Sequence, residues 1–293
     1  MARFTTPSML HRSTLQLLRF HFSLFLLPVY LFALSQAPRI DTWNAVLVFI
    51  ILHLLVYPSS NGYNSYMDRD ETPIGGLETP MQPTRQLFLV SVIMDAAAVL
   101  LSFLISVSFA LGIMLYILAS RAYSYRGIRL KKYPFIGFLT VFIFQGALVF
   151  LLTYGAVSHV AMLETPLLPL FLSSLLIGAL YPLTQVYQHE EDKKDGVTTI
   201  SYVLGKKGTF LFSMALFLIA TAAMYQLFSG QNRLNLFWTY LLFLLPVVLF
   251  FLYWMSRVWK NEAAADFRNS LRMNFLSTLC TTAFFITLII LNH

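Results

Sequence analysis

Between Asn235 and Ser256 the chain reads NLFWTYLLFLLPVVLFFLYWMS, twenty-two residues without a charge. A soluble helix of that length carries a polar face, whereas a bilayer-spanning helix needs roughly 17 to 25 predominantly apolar residues. Comparable runs recur at about 16–35, 43–60, 86–106, 108–123, 135–156, 166–187, 209–229 and 272–291. The whole chain is 58% hydrophobic and only 11% charged, against roughly 25% charged residues in soluble domains. The predicted fold class is therefore all-α: a polytopic membrane protein of about nine transmembrane helices, with residues 1–293 forming a single integral membrane domain. The third and fourth runs adjoin without a charged break, so eight or ten spans also fit.

Charge placement tests this count. The basic start followed by an apolar run resembles a secretory signal. The run continues through Pro28 to Gln36 without a small-residue cleavage site, which predicts a retained first span. Cys280 is the only cysteine, so no disulfide or thiolate metal site can be built from it. The net charge of +7 would favour nucleic acid in a soluble protein. Here 18 of the 20 Lys and Arg fall in alternate connections, with only Arg39 and Arg233 on the other side. That asymmetry is the positive-inside pattern of an integral cell (inner) membrane protein with a cytoplasmic N-terminus and an outer C-terminus, and it excludes a need for nucleic acid. Ten of the thirteen acids lie on the same basic side, the exceptions being Asp41, Asp95 and Glu164.

Two acidic segments stand out there. The first, Ser60 to Pro73, follows the second span. If its helix continues, Asn61, Asn64, Asp68 and Glu71 line one face and Asp70 points away. The second, Gln185 to Thr199, follows the sixth span and places Gln188, Glu191, Asp192 and Asp195 at i, i+3, i+4 and i+7. Charges near helix ends are commonly solvated anchors. Two oxygen-rich stripes at corresponding places instead favour ligands for Mg²⁺, a hard ion that bridges carboxylates to phosphates. The four-span spacing of the two stripes hints at internal duplication.

These residues resemble the UbiA superfamily of intramembrane prenyltransferases. Asn64 and Asp68 match its first motif, and Asp192, Gly196 and Thr199 its second. The stretch from Tyr123 to Pro134 resembles its Tyr-Ser…Arg-Leu-Lys…Pro segment, and Arg19 to Ser23 its N-terminal start. Ser65, Thr72 and Gln188 stand where the motifs have acids, marking a divergent member. By the helical-face reading Glu71, Glu191 and Asp195 compensate for those losses.

The resemblance implies Mg²⁺-dependent transfer of a prenyl group from an isoprenoid diphosphate to an aromatic, quinone-precursor-like or other lipophilic acceptor within the lipid bilayer. Asp68 and Asp192 are then the catalytic carboxylates, and Asn64, Asp68, Glu71, Glu191, Asp192 and Asp195 the metal ligands. Arg19, Arg129, Lys131 and Lys193 would hold the diphosphate, although positive-inside anchoring explains Lys193 equally well. Asn61, Tyr123, Tyr181, Gln188 and Asp95 are candidate substrate-pocket residues. Asp95 is an intramembrane carboxylate, costly in lipid, but helix packing by a neutral Asp also accounts for it, and His53 reads as a packed histidine. Two other functions fit the chain: a terpene cyclase on the same scaffold, and a non-catalytic isoprenoid-lipid-binding or transport protein.

Overall fold

The computed structural model describes residues 10–293, so Arg3 of the basic start lies outside the described residues. Nine helices among them are long and apolar enough to cross a membrane. They are α1 (Arg12–Gln36), α2 (Thr42–Asp68), α3 (Arg85–Ser102), α4 (Val107–Ser124), α5 (Pro134–Ser158), α6 (Leu167–Thr184), α7 (Ile200–Gly230), α8 (Leu234–Lys260) and α9 (Phe267–Asn292).

The third and fourth runs are separate spans. The helix ends at Ser102, and Ser106 starts the next by accepting from the Phe109 amide at 3.0 Å. Asp41, Thr199 and Asp266 cap α2, α7 and α9 in the same way, each satisfying an amide that has no partner within its helix. The seventh helix begins earlier than hydropathy indicates, because a turn and a half precedes a kink at Gly205, whose φ of 68° suits only glycine without strain.

The helices form a closed ring. The α1 helix packs on α9 and on the second half of α5, α2 on α3 and α4, and α6 on both α5 and α7, while α8 joins α7 to α9. Lipid tails are as apolar as leucine, so helices associate through close packing rather than exclusion from water. Gly146 on α5 supplies one such approach: a Cβ there would lie 2.4 Å from the Ser174 Cα on α6. Phe32 packs its ring 5.3 Å from Phe150 and 5.0 Å from Phe285, joining α1, α5 and α9. Ile93, Leu100, Leu118, Leu242 and Ile290 are exposed around the outside, as a lipid-facing surface requires.

One ion pair lies within the spans. Asp95 of α3 is bonded to Arg121 of α4 and accepts from the Ser59 hydroxyl of α2. The Arg121 guanidinium also covers the Tyr63 ring at 4.0 Å. Both side chains are largely buried, and a charge left alone there would be costly. Removing one partner, as in Arg121→Met, should lower stability by roughly 3 kcal/mol, read as a drop in thermal midpoint in detergent. The double variant Asp95→Leu with Arg121→Met should recover most of that loss.

Candidate active site

Three arginines mark turns of the chain. Arg19, Arg69 and Arg129 have φ of 48°, 56° and 52°, a left-handed conformation that is uncommon outside glycine and clusters at functional sites. At Arg19 the first span bends, and its guanidinium donates to the Gly75 carbonyl at 3.1 Å and the Asn61 carbonyl at 3.3 Å. Arg69 ends α2. Arg129, in the connection after α4, is buried and donates to the Asp195 carbonyl at 3.0 Å and to Asp68 Oδ1 at 3.3 Å, and pairs with the Asp195 carboxylate.

Beside these turns lies a chamber of about 260 Å³ among α1, α2, α4, α5 and α6, with Asn274 of α9 also in its wall. Its polar end holds Asn61, Asn64, Asp68, Asp70, Lys131 and Asp192. The Asp68 carboxylate is nearly fully buried, and its second oxygen accepts from Lys131. The Asn64 amide donates to the Ser124 hydroxyl at 3.0 Å. Gln188 also lines the chamber and reaches the Pro73 carbonyl at 3.3 Å, tying the second acidic segment to the first. Deeper, the Tyr123 and Tyr181 hydroxyls bond to each other, and Gln185 donates to Tyr181 at 2.8 Å.

Burial pushes the Asp192 carboxyl up to about 7, with Asp70 and Asp68 adding to it against the pull of Lys131. Burial likewise raises Asp70 to about 6, helped by Asp68. Asp192 Oδ2 is buried with no hydrogen-bond partner among the described residues. An orphaned carboxylate oxygen beside a second carboxylate and amide side chains is a hard-oxygen donor set that a divalent cation fits. No three His, Cys, Asp or Glu side chains among the described residues converge on one point, so such an ion would be completed by substrate oxygens and water.

The structure places several of the expected site residues away from the chamber. Glu71 is exposed and stands away from the chamber, because α2 ends at Asp68 and the helical stripe does not reach it. Thr72 before Pro73 carried that signal, since a residue preceding proline disfavours helix. Asp70, expected to point away, lines the chamber instead. The short helix His189–Lys194 forms, but it turns Asp192 inward and leaves Glu191 outside, paired with Lys194 at 3.3 Å. Asp195 bonds Arg129 and is not part of the chamber wall, and Lys193 is exposed away from it. Asp95 belongs to the ion pair with Arg121, not to the pocket. Sequence reading also missed Tyr57, Tyr116 and Gln145, which line the deep end without any motif to mark them.

A model of the UbiA prenyltransferase family matches residues 25–279. No curated protein matches the chain. Among solved structures, a UbiA homolog from Archaeoglobus fulgidus bound to DMAPP and Mg²⁺ is similar with a TM-score of 0.67 and 20% identity, over 94% of this chain and 99% of that one. The apo structure of a UbiA homolog from Aeropyrum pernix K1 gives a TM-score of 0.69 at 18% identity, over 92% and 98%. A digeranylgeranylglyceryl phosphate synthase gives 0.59 at 20% identity, over 95% and 97%. These likenesses show a shared fold, and the match over residues 25–279 settles the lineage: the chain belongs to the UbiA prenyltransferase family.

Proposed function

We propose that the chain, acting over residues 1–293 as one unit, is a Mg²⁺-dependent prenyltransferase that moves a prenyl group from an isoprenoid diphosphate to a lipophilic acceptor. The observation that carries this reading is the meeting of both acidic segments with Arg19 and Lys131 at one end of a chamber enclosed by the spans. A similar protein from Archaeoglobus fulgidus has been solved with GPP and Mg²⁺, which supports the donor class. The charge asymmetry supports a cytoplasmic N-terminus, an outer C-terminus and a site at the cytoplasmic face of the cell membrane.

Asn64, Asp68, Asp70 and Asp192 would supply the metal ligands between them, no more than two of the carboxylates to one ion, with Gln188 beside them. When bound, Mg²⁺ would neutralise charge on the leaving diphosphate. Lys131 and Arg19 add fixed positive charge to the same end, where exclusion of water strengthens it. The C–O bond of the donor breaks with its electron pair going to the diphosphate. The acceptor then forms the new bond to the allylic carbon and gives up a proton. The Tyr123 and Tyr181 rings stand below the acids, where their faces can shield developing positive charge.

Purified protein in lipid with labelled isoprenoid diphosphates, Mg²⁺ and a panel of aromatic acceptors should release diphosphate and yield prenylated product, and chelation should stop both. Absence of diphosphate release under every condition would overturn the enzyme reading, and release without acceptor in the product would identify a cyclase. Asp192→Asn and Asp70→Asn should each lower kcat/KM about 100-fold. Glu71→Gln should stay within about twofold, as befits an exposed charge.

The acid–base balance makes a further prediction. An acid whose carboxyl is raised stays protonated to higher pH, and only the ionised form binds metal. Apparent Mg²⁺ affinity should therefore fall as pH is lowered through about 7 and about 6, the values for Asp192 and Asp70. Titration of Mn²⁺ binding by electron paramagnetic resonance checks this, and Asp192→Asn should flatten the upper part of the profile.

A further inference from the structure

The spans enclose a second cavity outside the site described above. It lies among α1, α6, α7, α8 and α9 and measures about 30 Å³. A buried water needs roughly 10–15 Å³ of such space, so as it stands the cavity is too small for an isoprene unit. Leu176, Phe217, Leu244 and Val247 line it on α6, α7 and α8, and no charged side chain among the described residues does. Ser277 and Thr281 face it from α9, where the Thr281 hydroxyl is spent on the Ser277 carbonyl of its own helix at 2.6 Å.

Three side chains line both spaces, Phe25 of α1 with Ile177 and Leu180 of α6, and so form the partition between them. The backbone is irregular on both sides of it. The first span tightens to 3₁₀ geometry over Leu24–Leu26 and resumes as α-helix at Leu27, with Pro28 in the first turn. Leu180 is the last α-helical residue of α6 before the 3₁₀ turn Tyr181–Thr184, which contains Pro182. A tightened stretch within a helix often marks a hinge, and each proline removes a backbone donor that would hold the helix together there. The Phe25 ring stands edge-on to Phe22 at 5.2 Å, and Phe22 lies under the Arg19 guanidinium at 5.4 Å. The partition is thereby tied to the charged end of the chamber.

We propose that Phe25, backed by Leu180, sets the length of the donor tail: the chamber takes a geranyl-sized tail, and a longer one passes its far end into the second cavity only when the partition opens. The proposal rests on the prenyltransferase reading above and deepens it. The chamber of about 260 Å³ lies below the roughly 300–1,000 Å³ usual for a drug-sized ligand, and it must hold a diphosphate and an acceptor as well as the tail. The second cavity adjoins it through apolar side chains and carries no charge, so hydrocarbon is the part of the reactants that suits it. Each methylene buried adds to binding, so joining the two spaces favours the longer tail.

The test uses the full chain in nanodiscs with Mg²⁺ and non-hydrolysable diphosphonate analogues of the geranyl and geranylgeranyl donors. One lipid composition serves all variants, so that partition into lipid cancels between them. Wild type should bind the geranyl analogue at least about tenfold more tightly. Phe25→Ala should raise the geranylgeranyl-to-geranyl affinity ratio about tenfold, and Leu180→Ala should move it in the same direction, which keeps the test open if one variant fails to fold. Adding Ser277→Leu, which fills the second cavity, to Phe25→Ala should return the ratio to the wild-type value. Equal binding of the two analogues by wild type, an unchanged ratio in every folded alanine variant, or a raised ratio that survives Ser277→Leu would each overturn the proposal, the last by showing that the tail runs out to lipid instead. If neither analogue binds, the donor reading falls, and the same ratios measured with geraniol and geranylgeraniol still decide the partition.

Discussion

Arg129 stands between the two acidic segments and touches both, Asp68 at the end of α2 and Asp195 beyond α6. Without a cation there, the acids of the two segments would face one another across a poorly solvated space. Burial already costs Asp70 and Asp192 enough to raise their carboxyls. Arg126 reinforces the junction by donating to the Met67 carbonyl at 2.7 Å and approaching Asp195 at 3.7 Å. Segments more than a hundred residues apart in sequence thus meet at one end of the chamber because the connection after α4 delivers positive charge to that place. Removal of one partner from such a cluster is far more disruptive than its net stabilisation indicates, since the remaining charges lose their compensation.

The membrane imposes the second constraint. Backbone groups inside a bilayer must be satisfied within the protein, so the chain can leave helical geometry only where it lines the chamber or caps a span. Arg19 lines the chamber and Arg69 caps a span, as this rule requires. Polar side chains are confined in the same way: acids and cations at one end of the chamber, hydroxyls below them, and a greasy outer surface.

Much of the fold was legible because hydropathy and loop charge report on the same boundaries independently. The acidic segments were legible for the same reason, as departures from an apolar background. Which acid faces the site was not. The helical-wheel reading assumed that α2 continues to Glu71, and the chain turns at Arg69 instead, exchanging Glu71 for Asp70. Asp95 stands alone in the sequence because its partner Arg121 lies 26 residues on, in the last turn of α4. Tyr57, one of fifteen tyrosines, carries no local pattern at all; only the packing of His53 and Tyr116 fixes where its hydroxyl points.

The ring is closed by contact between α1 and α9, the first and last spans. Every contact that does not involve α9 can form before that span is made, but this seam cannot. During synthesis the membrane therefore holds an open horseshoe, with the face of α1 that will meet α9 turned to lipid or to an insertion chaperone. The acids of α2 spend that interval without the roof supplied by later segments. The chamber wall draws on residues from Arg19 to Asn274, so it is complete only when the last span has joined the first.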